Sequence, residues 1–128
     1  MARPESEILT PAEQRVLSVL WDRKEATVRD VVEALAAERQ FAYTTVLTVL
    51  RVLVRKGYAS AHAAGRAHVF SPLVSRHEAR GSAVRHIIRN FFGDSPAALL
   101  EHLIEEGEID HEGIRRLEAR LAEEGESS

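Results

Sequence analysis

The chain has 128 residues, of which 45% are hydrophobic and 29% are charged, and its formal net charge is -3. That length suits one domain or a small domain with an appendage, and that composition is typical of a globular protein in water. The chain has no cysteine, which excludes disulfides and thiolate metal sites. It has neither a secretory leader nor an apolar run near the ~18 residues that a transmembrane helix requires, so we expect a cytoplasmic protein without membrane insertion.

The charges are unevenly distributed along the chain. Residues 1–73 carry ten Lys and Arg against eight Asp and Glu, whereas residues 74–128 carry seven against twelve. Moreover, no carboxylate occurs between Glu38 and Glu78. A surface without carboxylates that carries Arg and Lys suits a polyanion, because each phosphate contact gains from counterion release. The front of the chain is therefore expected to bind nucleic acid, and the acidic back to have a different role.

Capping signals predict two short helices after a polar arm at residues 1–9. The pattern TPAE at residues 10–13 is a capping box with proline at the first helical position, and it predicts a helix over about residues 11–23. The pattern TVRD at residues 27–30 begins a second helix, predicted over about residues 28–38. Apolar residues recur at helical spacing in both segments.

The sequence AYTTVLTVLRVLVRKG, residues 42–57, predicts a third helix over about residues 43–56 with two different faces. The apolar face is formed by Val46, Val49, Leu50 and Leu53. The opposite face is formed by Thr44, Thr48, Arg51 and Arg55. The many β-branched residues leave a strand as the competing interpretation, but two coherent faces at a period of 3.6 residues favour a helix. Gly57 is a suitable C-terminal stop.

Two short strands are predicted next, over about residues 58–63 and 67–71, with a turn at residues 64–66. Gly65 supplies the backbone freedom that such a turn requires. Three short helices followed by a hairpin with a basic tip form a winged helix-turn-helix layout. The predicted fold class is therefore mainly α with a small β-hairpin, beginning with a winged helix-turn-helix DNA-binding domain at residues 1–73.

Three further amphipathic helices are predicted within residues 74–128, over about residues 75–92, residues 95–107 and from residue 110 onward. They are too short to bury their apolar faces alone, and the simplest partner is the same segment of a second chain. We therefore predict a three-helix dimerisation domain. Its predicted contact residues are Val84, Ile87, Ile88, Phe91, Leu99, Leu100, Leu103, Ile114, Leu117 and Leu121.

The third predicted helix is the candidate for reading DNA. In a helix-turn-helix, the second helix of the motif lies in the major groove, and its N-terminal residues meet base edges. The predicted base-reading residues are Thr44, Thr45, Leu47 and Thr48. The predicted contacts to the DNA backbone are Arg51, Arg55, Lys56 and Arg66. The alternative is an ordinary amphipathic helix with a solvated face, in which Arg55 and Lys56 serve only the helix C-terminus.

Metal binding and catalysis have little support in the sequence. Among the six histidines, His62 and His68 lie on the two predicted strands and could face each other. No two histidines have the i, i+4 spacing with a nearby carboxylate that helical zinc sites use. Motifs for nucleophilic catalysis or for cradling a phosphate are also missing. We predict no metal site, no cofactor and no enzymatic activity.

Several segments resemble the BlaI/MecI penicillinase-repressor family. They are LTPAEQRVLSVLW (Leu9–Trp21), TVRDVVEAL (Thr27–Leu35), AYTTVLTVLRVLVRKG (Ala42–Gly57), GRAHVFSP (Gly65–Pro72) and, further on, GDSPAALLEHLIEEGEID. The resemblance covers nearly the whole chain. It implies a homodimer in which two winged-helix domains sit on intertwined helical tails and repress transcription by occluding a palindromic operator. It also implies that Thr44, Thr45 and Thr48 are recognition positions, with Leu47 at a position that varies in the family.

The chain departs from the family in three places. Arg51-Val52 stands where the family usually has Gln-Arg, which moves the cation by about 100° around the helix. The chain lacks the cysteine cluster of the copper-responsive CopY branch. The β-lactam-responsive members have an Asn-Phe cleavage bond in the fifth helix, where this chain reads Leu100–Leu103, and its own Asn90-Phe91 pair lies in the fourth predicted helix. The missing bond counts against the membrane sensor protease that the resemblance implies as a partner.

Two function hypotheses follow. The first is a sequence-specific transcriptional repressor that binds a palindromic operator as a homodimer. Its recognition helix, about residues 43–56, would lie in the major groove, and its wing, about residues 58–71, on the DNA backbone. The alternative is a winged-helix protein-interaction module without specific DNA readout, because fold alone does not determine function.

Overall fold

The structure is a computed structural model that describes residues 8–127, so most of the predicted polar arm lies outside the described residues. Within them, six helices and one two-stranded hairpin follow each other along the chain. They are α1 (Pro11–Arg23), α2 (Val28–Leu35), α3 (Tyr43–Lys56), β1 (Ala59–Ala64), β2 (Ala67–Pro72), α4 (Arg76–Phe91), α5 (Pro96–Glu105) and α6 (His111–Ser127). The predicted fold class, mainly α with a small β-hairpin, is confirmed.

The chain divides into two compact units, one ending at His86 and the other beginning at Ile87. The boundary between the units therefore falls inside α4. The division into a DNA-binding domain at residues 1–73 and a dimerisation domain at residues 74–128 concerns function, and it stays a prediction.

Capping boxes begin α1 and α2, as the sequence predicts. At the start of α1, Thr10 Oγ1 accepts a hydrogen bond from the Glu13 amide, and Glu13 Oε1 accepts one from the Thr10 amide. Thr27 and Asp30 repeat the arrangement at α2. Each box satisfies backbone donors that a helix leaves unpaired at its N-terminus.

The prediction that α2 extends to Glu38 is wrong, because the helix ends at Leu35. The amides of Glu38 and Arg39 both donate to the Leu35 carbonyl, at 3.0 and 2.9 Å, so residues 36–38 form a turn. These three residues are exposed and include no large apolar side chain. A further helical turn would gain no burial, and burial is what stabilises short helices.

The core of the first unit is formed by one face of each of its helices and by the base of the hairpin. The α3 residues Val46, Leu50 and Leu53 are 0% exposed. The other buried apolar residues are Leu9, Val16, Leu17, Val19, Leu20, Ala26, Val28, Val31, Leu35, Tyr58, Ala59 and Phe70. Gly57 ends α3 in the left-handed region, with φ 89°. The predicted helical interpretation of residues 43–56 is therefore confirmed, and the competing strand is excluded.

The hairpin has a two-residue turn, and the prediction of a three-residue turn is wrong. Ala64 pairs with Ala67, so only Gly65 and Arg66 form the turn, and Gly65 has φ 65°. A left-handed first turn position suits glycine. At the other end of the hairpin, Phe70 exchanges two backbone hydrogen bonds with Ala26, of 3.0 and 2.8 Å, and these bonds fix the hairpin against the loop before α2.

The strand register places the two wing histidines on opposite faces of the hairpin. His62 pairs with Val69, and His68 pairs with Ala63. Cross-strand partners lie on one face of the hairpin, and neighbouring pairs alternate between faces. His62 and His68 therefore do not face each other, and that expectation is wrong.

An ion pair joins α1 to α3. Lys56 Nζ donates to Glu13 Oε1 at 2.9 Å, and the two side chains are 15% and 9% exposed. Burial by itself would raise the pKa of the Glu13 carboxyl, but the Lys56 ammonium and the Thr10 amide that bind it lower the pKa below its ordinary value. A second pair, Arg76 with Asp22 at 3.2 Å, is well exposed.

The second unit has no buried side chain in residues 87–125, the part in which side chains are described. Large apolar residues of this unit are instead exposed. Phe91 is 74% exposed and Leu121 is 67% exposed. The end of α4 together with α5 and α6 thus has no core of its own, which agrees with the expectation that another surface covers this unit.

We expect Glu13→Gln to lower the free energy of unfolding at pH 7 by about 1.5–3 kcal/mol, because it removes a charged partner from a nearly buried hydrogen bond. Glutamine still supports the capping box, so the change isolates the charge. Because the folded-state pKa of Glu13 is lowered, its contribution is complete above the ordinary value of 4.5 and is lost as the pH falls through the folded-state pKa.

Urea denaturation at several pH values measures this difference. Asp22→Asn is the matched control, because it removes the exposed ion pair and should change stability by at most about 0.5 kcal/mol. Equal losses in the two variants, or a difference that does not shrink in acid, would contradict the assignment.

Candidate DNA-binding interface

The outward face of α3 follows from its buried face. With Val46, Leu50 and Leu53 buried, Thr44, Thr45, Thr48, Arg51 and Arg55 lie in solvent. The face is neutral over the first two turns and positively charged beyond them. No side chain caps the N-terminus of α3, where Ala42 stands.

The hydroxyl of Thr48 is already engaged within the helix. Thr48 Oγ1 donates to the Thr44 carbonyl oxygen at 2.9 Å, one turn back. This bond holds the side chain in one rotamer and occupies its only donor. Toward solvent, Thr48 therefore presents a methyl group and acceptor lone pairs.

Leu47 is half-buried and packs against the core of the first unit. It also lines the groove described below. Leu47, a predicted base-reading residue, thus has an intramolecular contact of its own, while part of its surface stays open to a ligand.

A groove without carboxylates runs beside α3. It is formed by the start of α2, the first half of α3 and the hairpin, and its lining residues are Thr27, Val28, Arg29, Tyr43, Leu47, Arg51, Arg66, Ala67 and His68. Three guanidinium groups and an imidazole thus meet with no acidic side chain among the lining residues. We call this surface the basic groove. It lies within the first unit and can accommodate a polyanion.

The four cationic side chains predicted to contact the DNA backbone have different surroundings. Arg51 and Arg66 line the basic groove. Arg55 is exposed but is not among the lining residues. Lys56 lies in the 2.9 Å pair with Glu13 and is only 15% exposed. The structure thus gives Lys56 a partner inside the domain, and its contact with DNA stays a prediction.

A sequence model of the penicillinase repressor family matches residues 9–123. The chain belongs to the penicillinase repressor family. The transcriptional regulator BlaI of Mycobacterium tuberculosis is 38% identical over 112 residues, which cover 85% of this chain and 81% of that protein. The penicillinase repressor of Bacillus licheniformis is 22% identical over 115 residues, which cover 90% of each. The complex structure of hsRosR-S4 shares the fold, with a TM-score of 0.52, 17% identity and coverage of 99% and 98%.

Membership in the penicillinase repressor family makes this chain a DNA-binding transcriptional repressor and not an enzyme. It also confirms the resemblance of this sequence to the BlaI/MecI family. The helix-turn-helix and hairpin of the first unit are therefore a DNA-binding winged helix.

Three side chains of the repressor's basic groove were not predicted from the sequence, namely Arg29, Tyr43 and His68. Helical spacing could have found Tyr43, because it lies four residues before Leu47 and eight before Arg51. The other two come from α2 and the hairpin. Only the packing of those elements against α3 brings them to the same groove.

Arg51-Val52, the departure from the usual family pattern, has a structural consequence. Val52 is half-buried, whereas Arg51 is exposed in the basic groove. The one-position shift therefore directs the cation toward the hairpin side of α3, where Arg66 also lies.

The part of the repressor that the structure describes has neither a metal-binding cluster of side chains nor a membrane-spanning helix. Within residues 8–127, no three His, Asp or Glu side chains are grouped so as to hold a metal ion. In the same range, every helix is too short or too polar to cross a membrane.

We expect Arg66→Ala to weaken binding to all duplex sequences alike, because the hairpin tip can reach phosphates but carries no base readout. The slope of log Kobs against log salt concentration should become shallower by about 0.9 per bound protomer. Fluorescence anisotropy over a range of salt concentrations measures the slope. The control is Arg120→Ala, an exposed arginine of the acidic second unit, which should leave the slope unchanged. An unchanged slope in Arg66→Ala would remove the hairpin tip from the interface.

Proposed function

We propose that this repressor binds a palindromic operator as a homodimer, with α3 in the major groove and the hairpin on the DNA backbone. The observation that carries the proposal is the basic groove, in which α2, α3 and the hairpin meet without a carboxylate. The groove adjoins the neutral, exposed first turns of α3. Because the operator is chromosomal or plasmid DNA, we place the action of the repressor in the cytoplasm.

Specificity is assigned to the neutral tip of α3. Thr44, Thr45 and Thr48 are exposed there, and Leu47 is open on one side. Threonine oxygens can bond either kind of base edge, and methyl groups can contact thymine. Since the Thr48 hydroxyl already donates to the Thr44 carbonyl, Thr48 can offer DNA bases only an acceptor and a methyl group.

Affinity is assigned to the cations around that tip. Arg51 and Arg66 line the basic groove, and Arg55 follows Arg51 one turn further along α3. Contacts from these residues to phosphates would position α3 in the major groove of the DNA. Such contacts carry no information about the base sequence. We leave Lys56 out of this set because of its pair with Glu13.

Dimerisation is assigned to the second unit. From Ile87 to residue 125 it buries no side chain within one chain, and its apolar residues include the exposed Leu100, Ile104 and Leu117. A second copy offers the same apolar surface, and a two-fold dimer interface is made of such self-matching patches. A two-fold protein also suits an operator with two inverted half-sites.

A membrane sensor protease as the releasing partner is not part of the proposal. The segment Leu100–Leu103 does not contain the Asn-Phe bond that the resemblance associates with cleavage. Release from DNA by another signal is equally compatible with the basic groove and with the second unit.

Selection from a library of random duplexes tests the proposal directly. We expect the full chain to enrich an inverted repeat whose half-sites lie about one or two helical turns apart. Thr48→Ala should then weaken binding to the enriched duplex by about 1–3 kcal/mol and leave binding to random-sequence duplex unchanged. Thr48→Ser, which keeps the hydroxyl, separates the role of the acceptor from that of the methyl group.

Two outcomes of the selection would count against specific readout. If no sequence is enriched and binding does not depend on salt, the protein-interaction alternative is favoured. If Thr48→Ala weakens specific and random duplexes equally, α3 does not read bases at this residue.

For the dimer, Leu117→Glu should convert the protein from a species of about twice the chain mass into a monomer, because it places a charge in the apolar stripe of α6. Ala119→Glu is the matched control. It makes the same charge change about 200° around the helix and should leave the dimer intact. Sedimentation velocity at micromolar concentration measures the mass. A monomeric wild type, or equal effects of the two variants, would contradict the assignment of dimerisation to the second unit.

A further inference from the structure

His68 has a position in the basic groove that the proposed DNA contacts do not use. It is the second residue of β2, exposed, and next in the chain to the lining residue Ala67. Its cross-strand partner is Ala63, whose small side chain leaves the imidazole uncovered. In the part of the chain that the structure describes, no hydrogen bond or ion pair occupies the His68 ring.

The charged and titratable groups that line the basic groove with His68 are all cationic or neutral. Arg29 faces the groove from α2, Arg51 and Tyr43 face it from α3, and Arg66 faces it from the hairpin turn. No carboxylate lines the groove, so none is available there to pair with a protonated imidazole. A DNA phosphate that enters the groove would supply an anion for such a charge to bind.

Histidine is the side chain that ordinarily changes charge between about pH 5 and pH 8. A phosphate within contact distance favours the charged imidazolium over the neutral ring, and by linkage the imidazolium favours the phosphate. A histidine in a phosphate-binding groove therefore couples DNA binding to proton uptake.

We propose that His68 contacts a DNA phosphate as an imidazolium, so that operator binding takes up a proton at this residue in each protomer. The proposal rests on the DNA-binding role of the basic groove given under Proposed function. It adds a contact residue to that site and makes repressor affinity depend on pH.

The hairpin supplies its own matched control. His62 is also an exposed wing histidine, but it pairs with Val69 and lies on the opposite face of the hairpin. A general effect of acid on the wing or on the chain would involve both residues. An effect through the basic groove would involve His68 alone.

The experiment measures the affinity of the full chain for its enriched duplex by fluorescence anisotropy between about pH 6 and pH 8, at several salt concentrations. Wild type and His62→Gln are expected to bind roughly three- to tenfold more tightly at the acidic end. At that end their salt slope should be steeper by about 0.9 per bound protomer. His68→Gln should lose both changes, and His68→Arg should bind tightly at every pH with the steeper slope.

Each outcome decides between the proposals. A pH dependence that survives in His68→Gln, or that disappears equally in His62→Gln, overturns the role of His68 while the DNA-binding proposal stands. If His68→Gln weakens binding to the same extent at all pH values, His68 contacts DNA without taking up a proton, and the proposal for His68 is also overturned. If wild type binds no duplex at about pH 8, the proposed function fails, and this inference fails with it.

Discussion

The constraint on which this structure depends is the burial of one stripe of α3. Val46, Leu50 and Leu53 are 0% exposed, and they pack into a core to which α1, α2 and the base of the hairpin also contribute. Because successive residues of a helix are about 100° apart, a buried stripe fixes the face that points outward. The same packing brings α2 and the hairpin alongside α3. The basic groove is thus a by-product of core packing, because the core sets where α2, α3 and the hairpin lie.

The sequence predicts those features of the fold that depend on local rules. Capping boxes at Thr10 and Thr27 mark two helix starts, Gly57 marks a helix end, and the period of α3 separates its two faces. The end of α2 at Leu35 escaped prediction, because it depends on whether a further turn would find anything to bury. The hairpin turn was misjudged by one residue, because strand pairing competes with turn formation for Ala64.

The residues of the candidate site also divide into those that local patterns predict and those that depend on distant contacts. Helical spacing alone places Thr44, Thr48 and Arg51 on one face of α3. The pair of Lys56 with Glu13 could not be predicted, because Glu13 lies 43 residues earlier in the sequence and no local pattern reveals such a pair. His68 depends on strand register, because a shift of one residue would move it to the opposite face of the hairpin. Side chains whose surroundings are set by distant residues need the folded structure.

The two units depend on different sources of stability. The first has a continuous apolar core, whereas residues 87–125 of the second bury no side chain. Any partner that covers such a unit stabilises it, and its free energy of folding then depends on the concentration of that partner. If that partner is a second chain, an operator with two half-sites favours the same dimer that the apolar helices favour. Dimerisation and operator binding then strengthen each other by mass action, and a signal that weakens either one weakens repression as a whole.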